Sequence, residues 1–241
     1  MERKAAVKCC IDEILSGKFY EGNKGSLRPS YVLTKYGEKI SRVNLFGTVV
    51  DKFSSEDGSY ATITINDFSG AIRVKAFRDD AEKLKNIEIG SNVVVIGKPR
   101  FWNNELYIGL EIIRVIDDPN FESYRRAEIL KRLIERKKII SEILSLRDKI
   151  DEESFKNYVE EKFGLSIDEI NFILQAKEEK KDFKYQVLKI IKELDKGDGV
   201  DIFEIFNSIN LESTLLDSIL TELINEGKIY ESEPGKIKVK L

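Results

Sequence analysis

Basic and aromatic residues share two short stretches of this sequence, a combination that suits contact with a nucleic-acid strand. Phe77 lies in phase with Arg73 and Lys75, so one face of a strand is expected to carry a ring and two cations. A second stretch holds two cations and an aromatic pair: Lys98, Arg100, Phe101 and Trp102. Aromatic rings stack on bases of any identity, and cations neutralise backbone phosphates.

These residues form a candidate strand-binding site. Its predicted members are Tyr60, Arg73, Lys75, Phe77, Arg78, Lys98, Arg100, Phe101 and Trp102. The alternative is that the rings pack at a domain edge and the cations are ordinary solvated charges. We favour binding for Phe77 and Trp102. The two interpretations balance for Phe101, Tyr60 and Phe68, whereas Tyr107 and Phe53 are interpreted as structural.

Several catalytic chemistries are excluded by residue type. The chain has no histidine, which removes Ser-His and Cys-His nucleophiles and His-ligated metal sites. The adjacent Cys9 and Cys10 supply no disulfide framework and too few ligands for a structural zinc. The loop carboxylates lack the spacing of a metal-binding nuclease, and no GxxxxGK phosphate loop occurs. These carboxylates are Asp51, Glu56, Asp57 and Asp67. We therefore expect no enzyme, no metal and no cofactor.

Five strands and one helix must position the candidate site. Alternation and turn residues predict strands over 42–54, 60–66, 71–77, 92–100 and 106–115. A helix over 79–86 separates the third strand from the fourth. Gly47 inside the first strand indicates a bend or a close backbone approach. Two hairpins, a helix and another hairpin are the order of an OB-fold barrel, which binds oligonucleotides on strands 2 and 3 and the 1–2 and 4–5 loops.

Helices are predicted on either side of this domain. Residues 4–15 indicate a short helix on which the cysteines pack as small hydrophobes, and residues 30–37 indicate a strand and turn. After the strands, helices are predicted over 121–147, 152–163 and 166–180. The first has an apolar stripe flanked by cations. These cations either extend a nucleic-acid path or, as we favour, are solvated, while the stripe packs on a partner subunit or on residues 148–180. These cations are Arg125, Arg126, Lys131, Arg132, Arg136, Lys137 and Lys138.

Residues 183–241 are predicted to form a separate α+β domain of winged-helix type. Helices over 183–195, 200–210 and 211–227 precede a hairpin over 228–241 that turns at Glu233-Pro234-Gly235. The third helix carries no cation, and the domain has no arginine, so phosphates would repel it. We therefore favour protein docking over duplex binding. The acidic and polar positions of this helix are Glu212, Ser213, Thr214, Asp217, Ser218, Thr221, Glu222 and Asn225.

Four segments describe the predicted organisation: an N-terminal lead-in (1–40), the OB-fold domain (41–116), a helical connector or oligomerisation region (117–182) and the winged helix (183–241). Residues 41–116 carry 10 basic and 10 acidic side chains, so this domain is neutral. The first half of the chain is basic and the second is acidic, and a polyanion should meet the first half. With no leader pattern and no membrane-length apolar run, we expect a cytoplasmic, nucleoid-associated protein.

Three runs in the first half resemble the replication protein A family of archaea and eukaryotes. GAIRVKAFRDDAEKL (70–84) resembles its third OB strand and the following helix, and VVVIGKPRFWNNELYIGLEII (93–113) its fourth and fifth strands. PSYVLTKYGEKISRVNLFGTV (29–49) is similar to the lead-in of archaeal replication protein A-associated proteins. The resemblance implies that Phe77 and Trp102 occupy the family's two base-stacking positions.

The C-terminal half resembles the middle subunit of the same family. QVLKIIKEL (186–194) and LTELINEGKIYES (220–232) are similar to its terminal winged helix. The resemblance implies a subunit interface at helix 121–147, formed with a larger replication protein A subunit or within a homo- or hetero-oligomer. Residues 121–182 depart from the family, because they are far more helical than its flexible linker.

The sequence thus predicts a non-catalytic single-stranded-DNA-binding subunit of a replication protein A-like complex. Such a subunit would act in DNA replication, repair and recombination, with the winged helix docking replication or repair proteins. The alternative is an adaptor whose OB-fold contacts protein and binds DNA weakly, which the neutral charge of residues 41–116 favours.

Overall fold

The computed structural model describes residues 5–22, 29–147, 149–209, 211 and 213–240, without the side chains of residues 177–181 and 214. It divides into two compact units, Met1–Ile173 and Leu174–Leu241. Four predicted elements fall partly outside the described residues. These are helix 4–15 at Lys4, helix 200–210 at Asn210, helix 211–227 at Glu212 and the Thr214 side chain, and the hairpin 228–241 at Leu241.

The chain begins with short elements rather than with the predicted helix over 4–15. These are β1 (Val7–Lys8), α1 (Ile11–Leu15), β2 (Lys18–Tyr20), β3 (Tyr31–Leu33) and β4 (Lys39–Ile40). The helix prediction is therefore wrong for residues 5–10. Val7 instead donates its N–H to Arg42 O, and β1 pairs in parallel with residues 43–44. This pairing holds residues 7–8 extended. The predicted strand and turn over 30–37 are confirmed as β3 and the turn that closes at Gly37.

The α1 helix is capped by residues from elsewhere in the chain. Asp67 Oδ2 accepts the Ile11 N–H at 2.8 Å, and Ser69 Oγ accepts the Asp12 N–H at 3.0 Å. These bonds satisfy N–H groups that the first turn of a helix leaves without partners. Cys9 and Cys10 precede the helix instead of lying on it. Cys9 is buried in the core, as expected of a small hydrophobe, and Cys10 is half-buried at the N-cap.

The five predicted strands of the OB-fold are confirmed with nearly the predicted bounds. They are β5 (Val43–Ser54), β6 (Tyr60–Asn66), β7 (Ala71–Phe77), β8 (Asn92–Trp102) and β9 (Glu105–Val115). β5, β6 and β7 pair in antiparallel order, β7 pairs with β9 in parallel, and β8 pairs with both β9 and β5. The strands therefore form a closed ring. A short 3-10 turn (Arg78–Asp80) and α2 (Glu82–Lys85) replace the predicted helix 79–86.

Inward side chains of the ring form the main core. Ile63, Val74, Val95 and Ile108 are among its fully buried members. Gly47 lies where strands approach closely, because a Cβ there would sit 2.8 Å from Asn66 O, so the predicted close backbone approach is confirmed. Since one face of each strand fills this core, the alternate residues are left on the outer face of the ring.

Three helices follow the ring: α3 (Phe121–Arg147), α4 (Glu152–Phe163) and α5 (Ile167–Leu194). The first two confirm the predicted bounds. The prediction of separate helices over 166–180 and 183–195 is wrong, because α5 is continuous through both. No Pro or Gly occurs between residues 165 and 196 to end it.

Arginines, rather than only apolar residues, join α3 to the N-terminal elements. Arg125 Nη1 donates to Asn44 Oδ1 at 2.9 Å, Arg132 binds Glu13, and Arg136 Nε donates to Tyr36 O at 3.2 Å. The prediction that the cations of this helix are solvated is therefore wrong for these three. Leu130 and Ile134, two apolar residues of the same helix, are exposed.

The unit Leu174–Leu241 contains the end of α5, then β10 (Val200–Asp201), α6 (Ile202–Ser208), α7 (Ser213–Asn225), β11 (Ile229–Glu233) and β12 (Lys236–Val239). The predicted helices at 200–210 and 211–227 are confirmed with shorter bounds, and the hairpin is confirmed. β10, β12 and β11 form a three-stranded antiparallel sheet. Apolar side chains from α5, α6, α7 and this sheet make a separate core.

Candidate nucleic-acid interface

The outer face of β7 carries three of the predicted site residues. Ile72, Val74 and Ala76 are buried, and the alternate residues Arg73, Lys75 and Phe77 point outward. In the neighbouring strand β6, Tyr60 pairs with Phe77 and Thr62 pairs with Lys75. The predicted alternation therefore holds, and the ring and the two cations share one face of the sheet.

An aromatic cluster occupies one end of this face. The rings of Tyr60 and Phe77 lie 5.1 Å apart, and the rings of Phe53 and Tyr60 lie 6.2 Å apart. Phe77 is 54% exposed and Phe53 is 56% exposed, so both are accessible to a base. Phe53, which the sequence analysis interprets as structural, contacts Tyr60 on the outer face and lies outside the core. Its place beside Tyr60 follows from the β5–β6 register, which the sequence alone does not fix.

Trp102 projects from the turn between β8 and β9. Asn103 and Asn104 form a two-residue turn with φ values of 49° and 60°, the left-handed conformation that Asn tolerates best after Gly. Trp102 and Glu105 pair across this turn. With 74% of its surface exposed, the Trp102 ring is accessible to a ligand.

Phe101 differs from its neighbour, because one face of its ring is occupied. Its centroid lies 5.9 Å from that of Phe19 in β2, with 26° between the ring planes. Phe19 itself packs against the core of the ring of strands. This stacking joins the lead-in to the β8–β9 hairpin and leaves Phe101 half-exposed. It supports a structural role for Phe101.

Glu105 binds two of the predicted cations. Arg73 Nη1 donates to Oε1 at 2.8 Å, and Lys75 Nζ donates to Oε2 at 2.6 Å. Lys75 also lies over the Tyr107 ring, 4.3 Å from the centroid, and its side chain is only 12% exposed. The hydrogen bond from Lys75 lowers the pKa of the Glu105 carboxyl, with a further contribution from Arg73. The carboxylate is therefore charged and holds both cations in place.

Glu111, which lies in β9 like Glu105, binds a second pair of cations. Arg42 Nε lies 2.5 Å from Oε2, and Lys98 Nζ lies 3.1 Å from Oε1. Burial raises the pKa of Glu111, but the hydrogen bonds from Arg42 and Lys98 outweigh it and leave the pKa below its ordinary value. Lys98 is thus ion-paired, like Arg73 and Lys75, although each carboxylate balances only one of the two cations that it binds.

Arg100 and Arg78 are exposed cations without an ion-pair partner among the residues that the structure describes. Arg100 pairs with Tyr107 across β8 and β9. Arg78 follows Phe77 with a φ of 53°, and its N–H donates to Ser59 O at 2.7 Å. The left-handed backbone turns the chain sharply at the end of β7, next to the aromatic cluster.

The predicted site residues other than Phe101 therefore lie on the outer side of the ring, in two groups. The aromatic cluster lies at one end of β6 and β7, and the cations with Trp102 lie where β7, β9 and β8 adjoin. Sequence reasoning did not identify Glu105, although its carboxylate joins β9 to two side chains of β7. Its two-residue spacing from Tyr107 placed it on the outer face, but only the β7–β9 pairing brings it to Arg73 and Lys75.

Two kinds of feature are absent from the described part of the chain. Within it, no group of three or more Cys, Asp or Glu side chains is arranged to hold a metal ion. Nor does any helix in the same residues have the length and apolarity needed to cross a membrane.

Comparison with known proteins adds a domain family and a whole-chain relative. Residues 43–116 match the family model of the OB-fold nucleic acid binding domain, which confirms the OB-fold prediction for this segment. The uncharacterized protein MJ1654 of Methanocaldococcus jannaschii is 30% identical over 203 residues, covering 84% of this chain and 76% of the relative.

Solved structures with a similar fold include subunits of two assemblies. A chain of the S. pombe Stn1–Ten1 complex has a TM-score of 0.49 at 18% identity, covering 56% of this chain and 96% of that one. A chain of a replication protein A heterotrimer bound to single-stranded DNA has a TM-score of 0.45 at 16% identity, covering 55% and 98%.

Proposed function

This chain belongs to the same family as protein MJ1654 of Methanocaldococcus jannaschii, and we propose that it is a single-stranded-DNA-binding subunit of a replication protein A-like complex. It binds the strand by stacking bases on Phe77 and Trp102 and by contacting phosphates with neighbouring cations. The proposal includes no catalytic step. Replication, repair and recombination are the processes that expose such strands, and a nucleoid-associated location follows from the same activity.

The observation that carries the proposal is the exposure of Trp102 on the outer face of an OB-fold domain. A large ring that is 74% exposed gains little from folding and is available to a ligand. Glu105, its partner across the turn, contacts Arg73 and Lys75, which are in phase with Phe77. Stacking rings and cations on one sheet face are the elements of sequence-tolerant strand binding.

Trp102 provides the direct test, since it is the only tryptophan in the chain. Its fluorescence should be quenched when a strand of about 20 nucleotides is added, and the affinity should fall as salt is raised. Trp102→Phe is the control for the fluorescence signal, and anisotropy of a labelled strand then reports binding without the tryptophan. Absence of both quenching and an anisotropy change at low salt would reject strand binding.

A partner subunit is proposed to bind the exposed side of α3. Leu130 and Ile134 are exposed there, and Leu130 also borders a groove of about 360 Å³ with Phe46, Phe68 and Arg125. Apolar side chains in such a groove favour a protein partner. Light scattering of the wild type and of Leu130→Asp measures self-association. A larger mass for the wild type alone would indicate a homo-oligomer at this face. Monomers in both samples would leave a different chain, such as a larger subunit, as the proposed partner.

The C-terminal unit is proposed to be a winged helix that docks replication or repair proteins. Residues 183–241 contain 8 basic and 11 acidic side chains and no arginine, which disfavours phosphate binding. Phe203 and Tyr185 are exposed and suit a protein surface. Photo-crosslinking of the full chain to duplex DNA tests this proposal. Crosslinks concentrated in α7 would contradict it.

The second candidate is a protein-binding adaptor that touches DNA weakly. The pairing of Arg73, Lys75 and Lys98 with carboxylates favours it, since few cations remain free for phosphates. The strand titration separates the two functions, because an adaptor would show no measurable quenching of Trp102 at low salt.

A further inference from the structure

The ion pairs of Glu105 bear on how the chain would bind a strand, and the inference drawn from them rests on the proposed function. We propose that Glu105 occupies a phosphate subsite between Arg73 and Lys75, so that the free protein carries its own carboxylate where a strand phosphate binds. The strand must displace this carboxylate to use both cations. Glu105 thereby limits both the affinity and the salt dependence of binding.

The carboxylate makes contacts of the kind that phosphate oxygens also accept. Its two oxygens each accept from a different cation, at 2.8 Å from Arg73 Nη1 and 2.6 Å from Lys75 Nζ. Guanidinium and ammonium groups that bind a carboxylate in this way also bind the oxygens of a phosphate. The two cations come from β7 and the carboxylate from β9, which pairs beside it.

The Lys75 ammonium group is positioned by a ring and a carboxylate. The Tyr107 ring lies on one side of its ammonium group, 4.3 Å from centroid to Nζ, and Glu105 lies on another. Its side chain is 12% exposed, so its position is set by packing as well as by the ion pair. Removal of Glu105 would leave this cation directed at the outer face with no carboxylate among its described contacts.

A glycine lies on the outer face of the sheet beside the subsite. Gly109 pairs with Lys75 in β7 and with Lys98 in β8, and it places no side chain between them. A Cβ at Gly109 would make only ordinary contacts, 3.5 Å to Arg100 Cγ and 3.7 Å to Lys98 O. The outer face beside the subsite therefore carries no side chain from this position of β9.

Glu105 is also accessible enough to be displaced. Its side chain is 34% exposed and lies next to the two-residue turn, at the end of β9. An ion pair in this setting is stabilised only modestly, because water screens it. A phosphate that arrives with a stacked base can therefore compete for the cations.

The test compares Glu105→Gln with Glu88→Gln, which makes the same charge change at an exposed residue without an ion pair among the described residues. Glu105→Gln should raise the affinity for a strand of about 20 nucleotides about tenfold at low salt. The slope of log K against log salt should steepen by about 0.7 for each phosphate gained. Glu88→Gln should change neither beyond the general effect of one charge.

A double-mutant cycle assigns the gain to the subsite. In a background of Arg73→Gln and Lys75→Gln, the substitution Glu105→Gln should no longer raise the affinity. The inference is overturned if the wild type binds the strand and Glu105→Gln binds no better than Glu88→Gln. It is also overturned if the gain persists in the Arg73→Gln and Lys75→Gln background. If neither the wild type nor Glu105→Gln binds, the proposed function itself fails.

Discussion

Arg132 in α3 binds Glu13 in α1, with Nη2 at 2.6 Å from Oε1 and 2.7 Å from Oε2. The Glu13 side chain is 2% exposed. Arg132 also pairs with Glu38 through Nη1, so one guanidinium joins α3, α1 and the turn before β4. A buried carboxylate requires such a partner, because water cannot solvate it.

Loss of Arg132 should therefore destabilise the unit that contains the OB-fold. Arg132→Met should lower its free energy of unfolding by about 3–5 kcal/mol, because Glu13 is left buried without its counter-charge. Urea unfolding followed by Trp102 fluorescence measures this unit, since no other tryptophan is present.

Arg126→Met is the matched control for Arg132. Arg126 is exposed and pairs with Glu122 one turn away, so its loss should cost less than about 1 kcal/mol. Equal effects of the two substitutions would contradict a buried ion pair. The double substitution of Arg132→Met with Glu13→Gln should recover part of the lost stability, because the buried charge is removed as well.

The stacking rings can be tested one at a time. Phe77→Ala and Trp102→Ala should each weaken strand binding by about 1–3 kcal/mol, as expected for the loss of one base–ring contact. Phe53→Ala should also weaken it, because Phe53 completes the cluster with Tyr60. Anisotropy of a labelled strand measures all three without depending on tryptophan.

Phe68→Ala is the control for Phe77→Ala and Phe53→Ala. It is not a control for Trp102→Ala, because Trp102 pairs with Glu105, which binds Arg73 near the Phe68 end of β7. Phe68 is exposed at the β6–β7 turn, the opposite end of the hairpin from Tyr60 and Phe77, and Arg126 lies over its ring. Six residues of strand separate the two ends by about 20 Å. An equal loss of affinity with Phe68→Ala would place the binding surface elsewhere.

The stability of the first unit should depend on the charge of Glu169. Burial raises the pKa of this carboxyl, but the hydrogen bonds from Lys39 and Tyr31 outweigh it and leave the pKa below 4.5. A lowered folded-state pKa stabilises the fold at pH values above the unfolded pKa. That contribution is lost as the pH falls through the folded-state value.

Glu169→Gln should thus be less stable than the wild type near pH 7, and the difference should shrink below about pH 4.5. Urea midpoints measured by Trp102 fluorescence between about pH 7 and pH 3 give the comparison. Glu160→Gln, at an exposed position in α4, should run parallel to the wild type. A constant difference between Glu169→Gln and the wild type at every pH would contradict the role assigned to this carboxylate.

Both cysteines should resist alkylation in the folded protein. Burial raises the pKa of the Cys9 thiol well above its ordinary value and that of Cys10 to about 12. At about pH 8 very little reactive thiolate is present. Iodoacetamide labelling followed by mass spectrometry should be slow for the native chain and fast in urea. Ser141→Cys, at an exposed position in α3, is the positive control. Rapid native labelling of Cys10 would contradict its environment in this structure.

Local pattern determined which strands form and which side chains face outward. A period of two residues in 60–66 and 71–77 is sufficient to place Phe77 with Arg73 and Lys75, because successive strand residues alternate between faces. The Asn103-Asn104 pair likewise determined the turn that presents Trp102, since Asn tolerates a positive φ. These signals depend on neighbours within a few positions of the chain.

Only the tertiary structure decided how the cations are paired. Glu105 reaches Arg73 and Lys75 because closure of the ring puts β9 beside β7, about 30 residues away in sequence. Phe19 covers Phe101, and Arg132 neutralises Glu13, through contacts of the same long-range kind. The β1 pairing also replaced the helix predicted for residues 5–10, whereas residues 11–15 are helical. Residue periodicity fixes the direction of a side chain, whereas its partner depends on which distant elements become neighbours when the chain folds.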